Sequence, residues 1–408
     1  MSTNVALASV KSLELSTMDT SQSAFIERAR AMVAHLLDEQ PEVEKRTFYS
    51  EETHVMFRDA GFYRMLVPEQ FGGYGLDAEV FFRVAVIIAS GCPSTAWQYC
   101  FGHSHAVAAG SLFSQEVQAE LFRDVDFVCA GTIKPQGTVQ QQADGSWVLN
   151  GTFNYCSGIP YSTHFISHAF VTDQHGNALG KGTFVAPRSA WMRLDDWGGS
   201  LGLKGSGSHS IVFENAVLPA EFVLPGVDFA DHAPREDSPY ILHHGRPMSF
   251  LYLEPASIML GAVKGALAEY EALLRTKTTM LPPIVPRTED VDYRRYFGDA
   301  MGKIAFAEAA LFNACRQWIE AAGEQMAGRS EFTVAQDLTI RLICLEVMNT
   351  CWQVMESIIL FSAGSSAAFD GQRIQRFFRD MAMCRAHALQ SWVDPMRRDL
   401  ADEVIKSS

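Results

Sequence analysis

His387 lies seven residues after Asp380 in Arg376-Phe-Phe-Arg-Asp380-Met-Ala-Met-Cys-Arg-Ala-His387. Read as one helix from Arg373 to about Leu400, this segment turns about 100° per residue and places Arg376, Asp380, Met383 and His387 on one narrow stripe. A cation, an acid, a thioether and an imidazole make poor core material and suit the wall of a polar pocket. An imidazole there can donate a proton and recover it near neutral pH. A carboxylate such as Asp380 would raise its pKa if close; pairing of Asp380 with a neighbouring arginine is the other expectation. On spacing alone a surface or hydrogen-bonded core histidine remains the competing reading of His387. Trp97, Phe101 and His105 are four apart and share a second helical face, from which His103 points away. That makes His105 a pocket candidate, with a satisfied core histidine as the alternative.

These residues need a scaffold, and the chain is long enough to build one. It has 408 residues, 48% hydrophobic, which suffices for two or three domains. A net charge of −14 with no basic stripe argues against nucleic acid as a partner. No apolar run approaches the roughly 20 residues that span a bilayer, so no membrane partner is expected. The eight cysteines form no Cys-x-x-Cys pair. They read as small buried hydrophobes in a reducing cytoplasm. His103/His105 and His243-His244 have no carboxylates at ligand spacing, so no metal site is expected.

Residues 1–23 read as a disordered leader and residues 24–125 as a helical domain. Its helices are Phe25–Glu39, Glu51–Ala60, Ala78–Ser90 and Ser94–Phe113, the last with Ser94 as N-cap. Residues 126–235 read as a barrel-like β-domain. Its strands are Trp147–Leu149, His164–Val171, Thr183–Ala186 and Ser210–Phe213, with Asp144-Gly145, Asn150-Gly151 and His175-Gly176-Asn177 as turns. Residues 236–408 read as a helical bundle built from Leu251–Leu273, Tyr293–Met326, Thr333–Phe361 and Arg373–Val404. No phosphate-binding glycine loop follows a strand, which argues against a doubly wound nucleotide domain.

Four motifs add a family resemblance. Gly61-Phe-Tyr-Arg-Met-Leu-Val-Pro68-Glu-Gln-Phe-Gly72-Gly73-Tyr-Gly75 resembles the N-terminal signature of acyl-CoA dehydrogenases. Asp144-Gly145-Ser-Trp-Val-Leu-Asn-Gly151-Thr-Phe-Asn-Tyr-Cys-Ser157-Gly158 resembles their hairpin under the flavin ring. Trp197-Gly-Gly-Ser-Leu-Gly202-Leu-Lys-Gly-Ser-Gly207-Ser208 resembles their second β-segment. Ala363-Gly364-Ser365-Ser366 with Gln375-Arg376 and Arg379-Asp380 resembles their C-terminal block. The motifs keep the family's order over about residues 22–403. The resemblance implies an α+β fold: an N-terminal helical domain, a central β-domain and a C-terminal four-helix bundle.

Typical dehydrogenases of the family carry a catalytic glutamate just after the Arg-Asp pair. Here that position is at about Ala388, beside His387, and no Glu or Asp occurs between Met381 and Val393. An imidazole resembles instead the family's two-component flavin monooxygenases. That branch implies reduced flavin (FMNH2 or FADH2) from a separate reductase, reaction with O2 through a C4a-hydroperoxyflavin, and oxygenation of an aromatic or other apolar small molecule. It also implies a homotetramer. The implied catalytic residues are His387, Ser157 and His105, with Ser157 at the end of the hairpin's third strand to meet flavin N5. The implied flavin contacts are Ser157, Tyr155, Trp197, Ser206, Ser208 and Arg376. Trp97, Phe101, His105, Arg246 and Phe250 are the implied substrate contacts. Two alternatives stay open: an acyl-CoA dehydrogenase or oxidase with a displaced base, and a non-catalytic flavin-binding scaffold.

Overall fold

The computed structural model describes residues 20–124, 126–233 and 235–406. The leader expected over residues 1–23 falls outside the described residues as far as residue 19, and a helix occupies the described residues from Thr20. Six α-helices come first among the described residues: α1 (Thr20–Arg46), α2 (Glu51–Asp59), α3 (Ala78–Gly91), α4 (Pro93–His103), α5 (His105–Leu112) and α6 (Gln115–Leu121). Side chains fix several starts. Ser50 accepts the Thr53 N–H, Asp77 that of Val80 and Ser114 that of Val117.

The helix expected from Ser94 to Phe113 is two helices, broken at Ser104. Nor is Ser94 its cap. Cys92 holds that place without a side-chain bond, and Pro93 occupies the first helical position, where a missing N–H costs nothing.

The middle of the chain is an eight-stranded sheet. Its strands are β1 (Cys129–Thr132), β2 (Thr138–Gln141), β3 (Trp147–Phe153), β4 (His164–Thr172), β5 (Ala178–Pro187), β6 (Met192–Arg193), β7 (Ile211–Leu218) and β8 (Val223–Pro225). The order is β6-β7-β3-β2-β4-β5-β8, with β1 parallel to β4. Phe153, Phe165, Phe184, Phe213 and Trp191 form its buried aromatic core. Asp144-Gly145 does turn β2 into β3. Asn150-Gly151 does not turn the chain: it is a bulge inside β3, where the pairing with β7 shifts register. A Cβ on Gly151 would stand 2.5 Å from the Gly137 Cα, so glycine is needed there. β1, β2, β6 and β8 are absent from the strands expected above because each has at most four residues, too few to show a period.

Five long helices close the chain: α7 (Pro247–Thr276), α8 (Val291–Met326), α9 (Val334–Val354), α10 (Arg373–Arg385) and α11 (Val393–Lys406). α9 runs on through a π-helical stretch, Met355–Leu360, to Ala363. α7 to α10 form the bundle, with α7 packed against the other three and against α3. Two stretches, Pro247–Thr276 and Val334–Ala363, are long and apolar enough to cross a membrane by length and composition. In the apolar 18-residue window of the first, 94% of the residues are buried inside the protein, and in that of the second half are.

The segment Arg373–Leu400 is not one helix. α10 ends at Arg385, and the short 3-10 helix Ala388–Trp392 separates it from α11. His387 sits in the bend. Tyr252 on α7 donates its hydroxyl to the Leu389 carbonyl at 2.9 Å, a tertiary bond that holds the bend and that spacing cannot reveal.

Candidate active site

A cavity of about 1100 Å³ opens between the sheet, the N-terminal helices and the bundle. A site for one small ligand usually measures about 300–1,000 Å³, so this one has room for a flavin ring and a second molecule. Trp97, Phe101 and His105 line it from α4 and α5, Tyr155 and Ser157 from the loop after β3, Trp197, Ser206 and Ser208 from the segment before β7, Arg246 from the start of α7, and His387 from the bend after α10.

Ser157 is four residues past the end of β3, in a turn, rather than at a strand end. The Trp97 indole N–H donates to its hydroxyl at 2.9 Å. Ser157 and Ser208 are also bonded at 2.9 Å, and Ser208 and Ser206 at 2.7 Å. A hydroxyl has one proton and two lone pairs. If Ser157 donates to Ser208 and Ser208 to Ser206, the Trp97 N–H fills one Ser157 lone pair and the other is left to accept an N–H from a ligand.

The two histidines are held in opposite senses. The His105 Nδ1 faces two backbone carbonyls, Phe101 at 3.0 Å and Cys129 at 2.8 Å. Nδ1 must carry the proton, which leaves Nε2 as a lone pair. Burial depresses its pKa against the pull of those carbonyls. His387 is the reverse. Its Nδ1 accepts the Leu389 N–H at 3.4 Å, which assigns the proton to Nε2. Burial lowers its pKa to about 4, so the ring is neutral at pH 7. The ring stands edge-on to Trp97, with centroids 5.2 Å apart, and tilted to Phe101 at 6.2 Å. One histidine thus offers a lone pair and the other an N–H.

Asp380 does not raise the His387 pKa, and it has no arginine partner among the described residues. Its carboxylate takes the Leu203 N–H at 2.6 Å and faces the Ser94 hydroxyl at 3.4 Å. Burial pushes it up to about 7. It ties α10 to the Leu203 loop and to α4. Arg376 and Arg379 go to Glu44 instead, at 3.8 and 2.6 Å. Arg376 is thus not among the cavity's lining residues. Phe250 also stands apart from that lining, packed between Phe82 and Trp318. Arg246 lines the cavity but spends its Nε on the Phe332 carbonyl at 2.6 Å. Trp197 donates to the Leu203 carbonyl at 3.1 Å and stands edge-on to Tyr155. Tyr155 is exposed at the rim with φ +62°, a conformation most side chains avoid.

Several lining residues escaped the sequence reading, among them Gly131, Lys181, Asp228, Asp337, Arg341 and Trp392. Gly131 sits on β1, a strand too short to detect. A Cβ there would stand 2.7 Å from His105 Cε1 and 2.8 Å from Nε2, so this glycine makes the room for the imidazole. Asp337 and Arg341 did carry a signal, an acid four residues before a base on a helix.

Comparison with known proteins places these features. Family models described as the acyl-CoA dehydrogenase N-terminal and C-terminal domains match residues 19–122 and 254–392. The chain is 27% identical over 393 residues to a flavin-dependent monooxygenase, oxygenase subunit HsaA, of Rhodococcus jostii strain RHA1, covering 91% of this chain and 95% of that one. The structure of XiaF from a Streptomyces species, in complex with FADH2 and glycerol, superimposes with a TM-score of 0.83 at 20% identity over 90% of this chain and 92% of that one. TdsC of a Paenibacillus species, with FMN and indole, gives 0.79 at 19% identity, covering 94% of this chain and 97% of that one. With both terminal domains matched in register and the helix–sheet–bundle order shared, the chain belongs to the acyl-CoA dehydrogenase superfamily, in its branch of two-component flavin-dependent monooxygenases.

Proposed function

We propose that this protein is the oxygenase component of a two-component monooxygenase, which takes reduced flavin from a separate reductase and adds one atom of O2 to an aromatic or similarly apolar small molecule. The observation that carries the reading is the convergence of the Ser157 hydroxyl, the His105 lone pair and the His387 N–H on one cavity. The group facing Trp97 from the α10–α11 junction is an imidazole, not the carboxylate that α-proton abstraction from an acyl thioester requires.

The residues present fit a flavin. The linked hydroxyls of Ser157, Ser208 and Ser206 offer hydrogen bonds to a polar ring edge, and Tyr155 and Trp197 offer aromatic surface beside them. Reduced flavin supplies the activation of O2 when bound; the protein's part is to bind, orient and manage protons. Ser157 holds a proton at the ring nitrogen it meets. His387 Nε2–H donates to the oxygen atom that leaves as water. His105 Nε2 accepts a hydrogen bond from the substrate, and a phenolic hydroxyl would suit it. Trp97 and Phe101 bound the substrate with apolar surface and keep water from the reacting atoms.

A homotetramer in the cytoplasm completes the proposal. Met280, Leu281, Ile284, Phe306, Phe361 and Phe369 are apolar and exposed on the bundle side, which supports burial between subunits. All eight cysteines are free and buried, which suits a reducing compartment. Light scattering should give about four times the 45.2 kDa chain mass; a monomer would overturn this part. The activity is tested by supplying reduced FMN or FAD through any flavin reductase, with 18O2 and a panel of phenols, indoles and aromatic sulfides. A product heavier by one labelled oxygen atom is expected. Flavin oxidation without labelled product across the panel, together with acyl-CoA oxidation, would refute it.

A further inference from the structure

The bundle side of the cavity contains a charged pair that the chemistry above does not use. Arg341 and Asp337 are one turn apart on α9, with Nε 3.1 Å from Oδ2 and side chains only 12% and 7% exposed. Asp337 also accepts the Ser249 N–H at 3.1 Å, in the first turn of α7. Two elements therefore fix the carboxylate, and the carboxylate fixes the arginine. Yet the Arg341 Nε, buried beside Asp337, has no well-aligned hydrogen-bond acceptor. Asp337 is the one ion-pair partner found for Arg341 among the described residues, and its guanidinium lines the cavity.

Each guanidinium on this side of the cavity has one carboxylate neighbour. Arg246 is the second guanidinium of this lobe. Its nearest carboxylate, Glu331, is 3.6 Å away and mostly exposed. Asp337 is the buried counter-charge of Arg341, Glu331 is the exposed one of Arg246, and His387 is neutral at pH 7. The walls around the pair are apolar, from Met248, Leu251, Leu389 and Trp392. A cation held in such surroundings is stable only when a counter-charge meets it. A guanidinium presents a planar fork of donors that matches a carboxylate.

We propose that Arg341, backed by Asp337, binds a carboxylate on the substrate, so that the substrate class is an aromatic acid. This rests on the oxygenase reading and narrows it. With the acid group at Arg341, the ring lies along Leu251, Leu389 and Trp392 and points toward Trp97, Phe101 and His387. Arg341 is also linked to the catalytic bend. Its Cζ lies 5.9 Å from the Tyr252 ring, the Tyr252 hydroxyl holds the Leu389 carbonyl, and the Leu389 N–H sets the His387 tautomer.

The test uses matched acid and amide pairs as probes: 4-hydroxyphenylacetate and its amide, indole-3-acetate and its amide, and 3-(4-hydroxyphenyl)propionate and its amide. Binding to the full-length protein with reduced flavin is measured by anaerobic calorimetry at pH 7. At least one acid should bind about tenfold or more tightly than its amide, as a charge-assisted pair implies. Arg341→Met should bring that ratio close to one. Arg341→Lys, which keeps charge without the fork, should retain part of it, and it decides the matter if the Met variant does not fold by circular dichroism. The proposal is overturned if no acid outbinds its amide, weak or absent binding of every acid included, or if neither variant changes the ratio. Transfer of one 18O atom from 18O2 to the acid, followed separately on the native protein, tests the oxygenase reading. Acid selectivity without oxygenated product would sink that reading and leave the anchor standing.

Discussion

Replacing Ser157 by alanine separates structure from chemistry at this site. The substitution removes the acceptor of the Trp97 indole N–H and one partner of Ser208. Ser208 keeps Ser206 at 2.7 Å, so the Trp97 N–H is the donor left orphaned. Trp97 is 3% exposed, and an unsatisfied buried donor costs about 1–3 kcal/mol. The melting temperature should therefore fall by a few degrees. Reduced-flavin affinity should weaken only about fivefold, as expected for one neutral hydrogen bond near 1 kcal/mol. Coupling should fall much further, because the proton that Ser157 would hold on the ring has no substitute acceptor. The double variant Trp97→Phe, Ser157→Ala removes the orphaned N–H. It should recover much of the lost stability but none of the coupling. Three measurements suffice: thermal unfolding, anaerobic flavin binding, and product and H2O2 formed per flavin oxidised. If coupling returns with stability in the double variant, Ser157 merely anchors Trp97 and its chemical role is wrong. If flavin affinity drops a hundredfold, Ser157 is a binding residue first.

Three further expectations follow from the same geometry. His387→Ala should keep the fold and flavin binding yet divert most turnover to H2O2, since losing a donor to developing charge in a dry site costs about 2–4 kcal/mol; unchanged product yield per flavin would contradict it. Gly131→Ala should destabilise the protein by about 1–3 kcal/mol, because the new methyl forces the His105 ring off its two carbonyls. In a His105→Ala background the same change should cost about half as much, the remainder arising from the Ile166 carbonyl at 2.9 Å; equal costs in both backgrounds would show that the ring is not what Gly131 accommodates. Stability should also fall as pH drops from about 6.5 toward 4. Burial lowers the pKa values of His103, His164 and His387 to about 4 and of His243 to about 3, so the unfolded chain takes up protons first and each histidine adds a slope of up to about 1.4 kcal/mol per pH unit. Asp380, raised to about 7, acts in the opposite sense, losing stability as pH rises from about 4 toward 7. Asp380→Asn should therefore steepen the acid limb of a melting-temperature profile, and a limb unchanged by it would refute the assignment.

Residues carrying a local pattern were readable in the chain. Phe25–Glu39 and Tyr293–Met326 are amphipathic over several turns, and the structure contains both within α1 and α8. Asp144-Gly145 supplies the positive φ that its turn needs, at +89°. Trp97, Phe101 and His105 keep a common face because the break at Ser104 hardly alters a spacing of four. Arg373–Leu400 misled because local periodicity continues through the bend, and the bond that ends α10 comes from Tyr252, well over a hundred residues away in sequence.

The amino-acid sequence by itself determined the order of helices, sheet and bundle and the family, and it named Ser157, His105 and His387 as candidates, because periodicity and motif are properties of neighbouring residues. Only the tertiary structure decided what these residues can do. Whether a histidine offers a lone pair or an N–H depends on which distant backbone group meets its other nitrogen: the Cys129 carbonyl for His105, the Leu389 N–H in a bend held from α7 for His387. The same holds for Asp380, Arg376 and Arg341, whose partners come from burial and contact rather than from spacing along the chain.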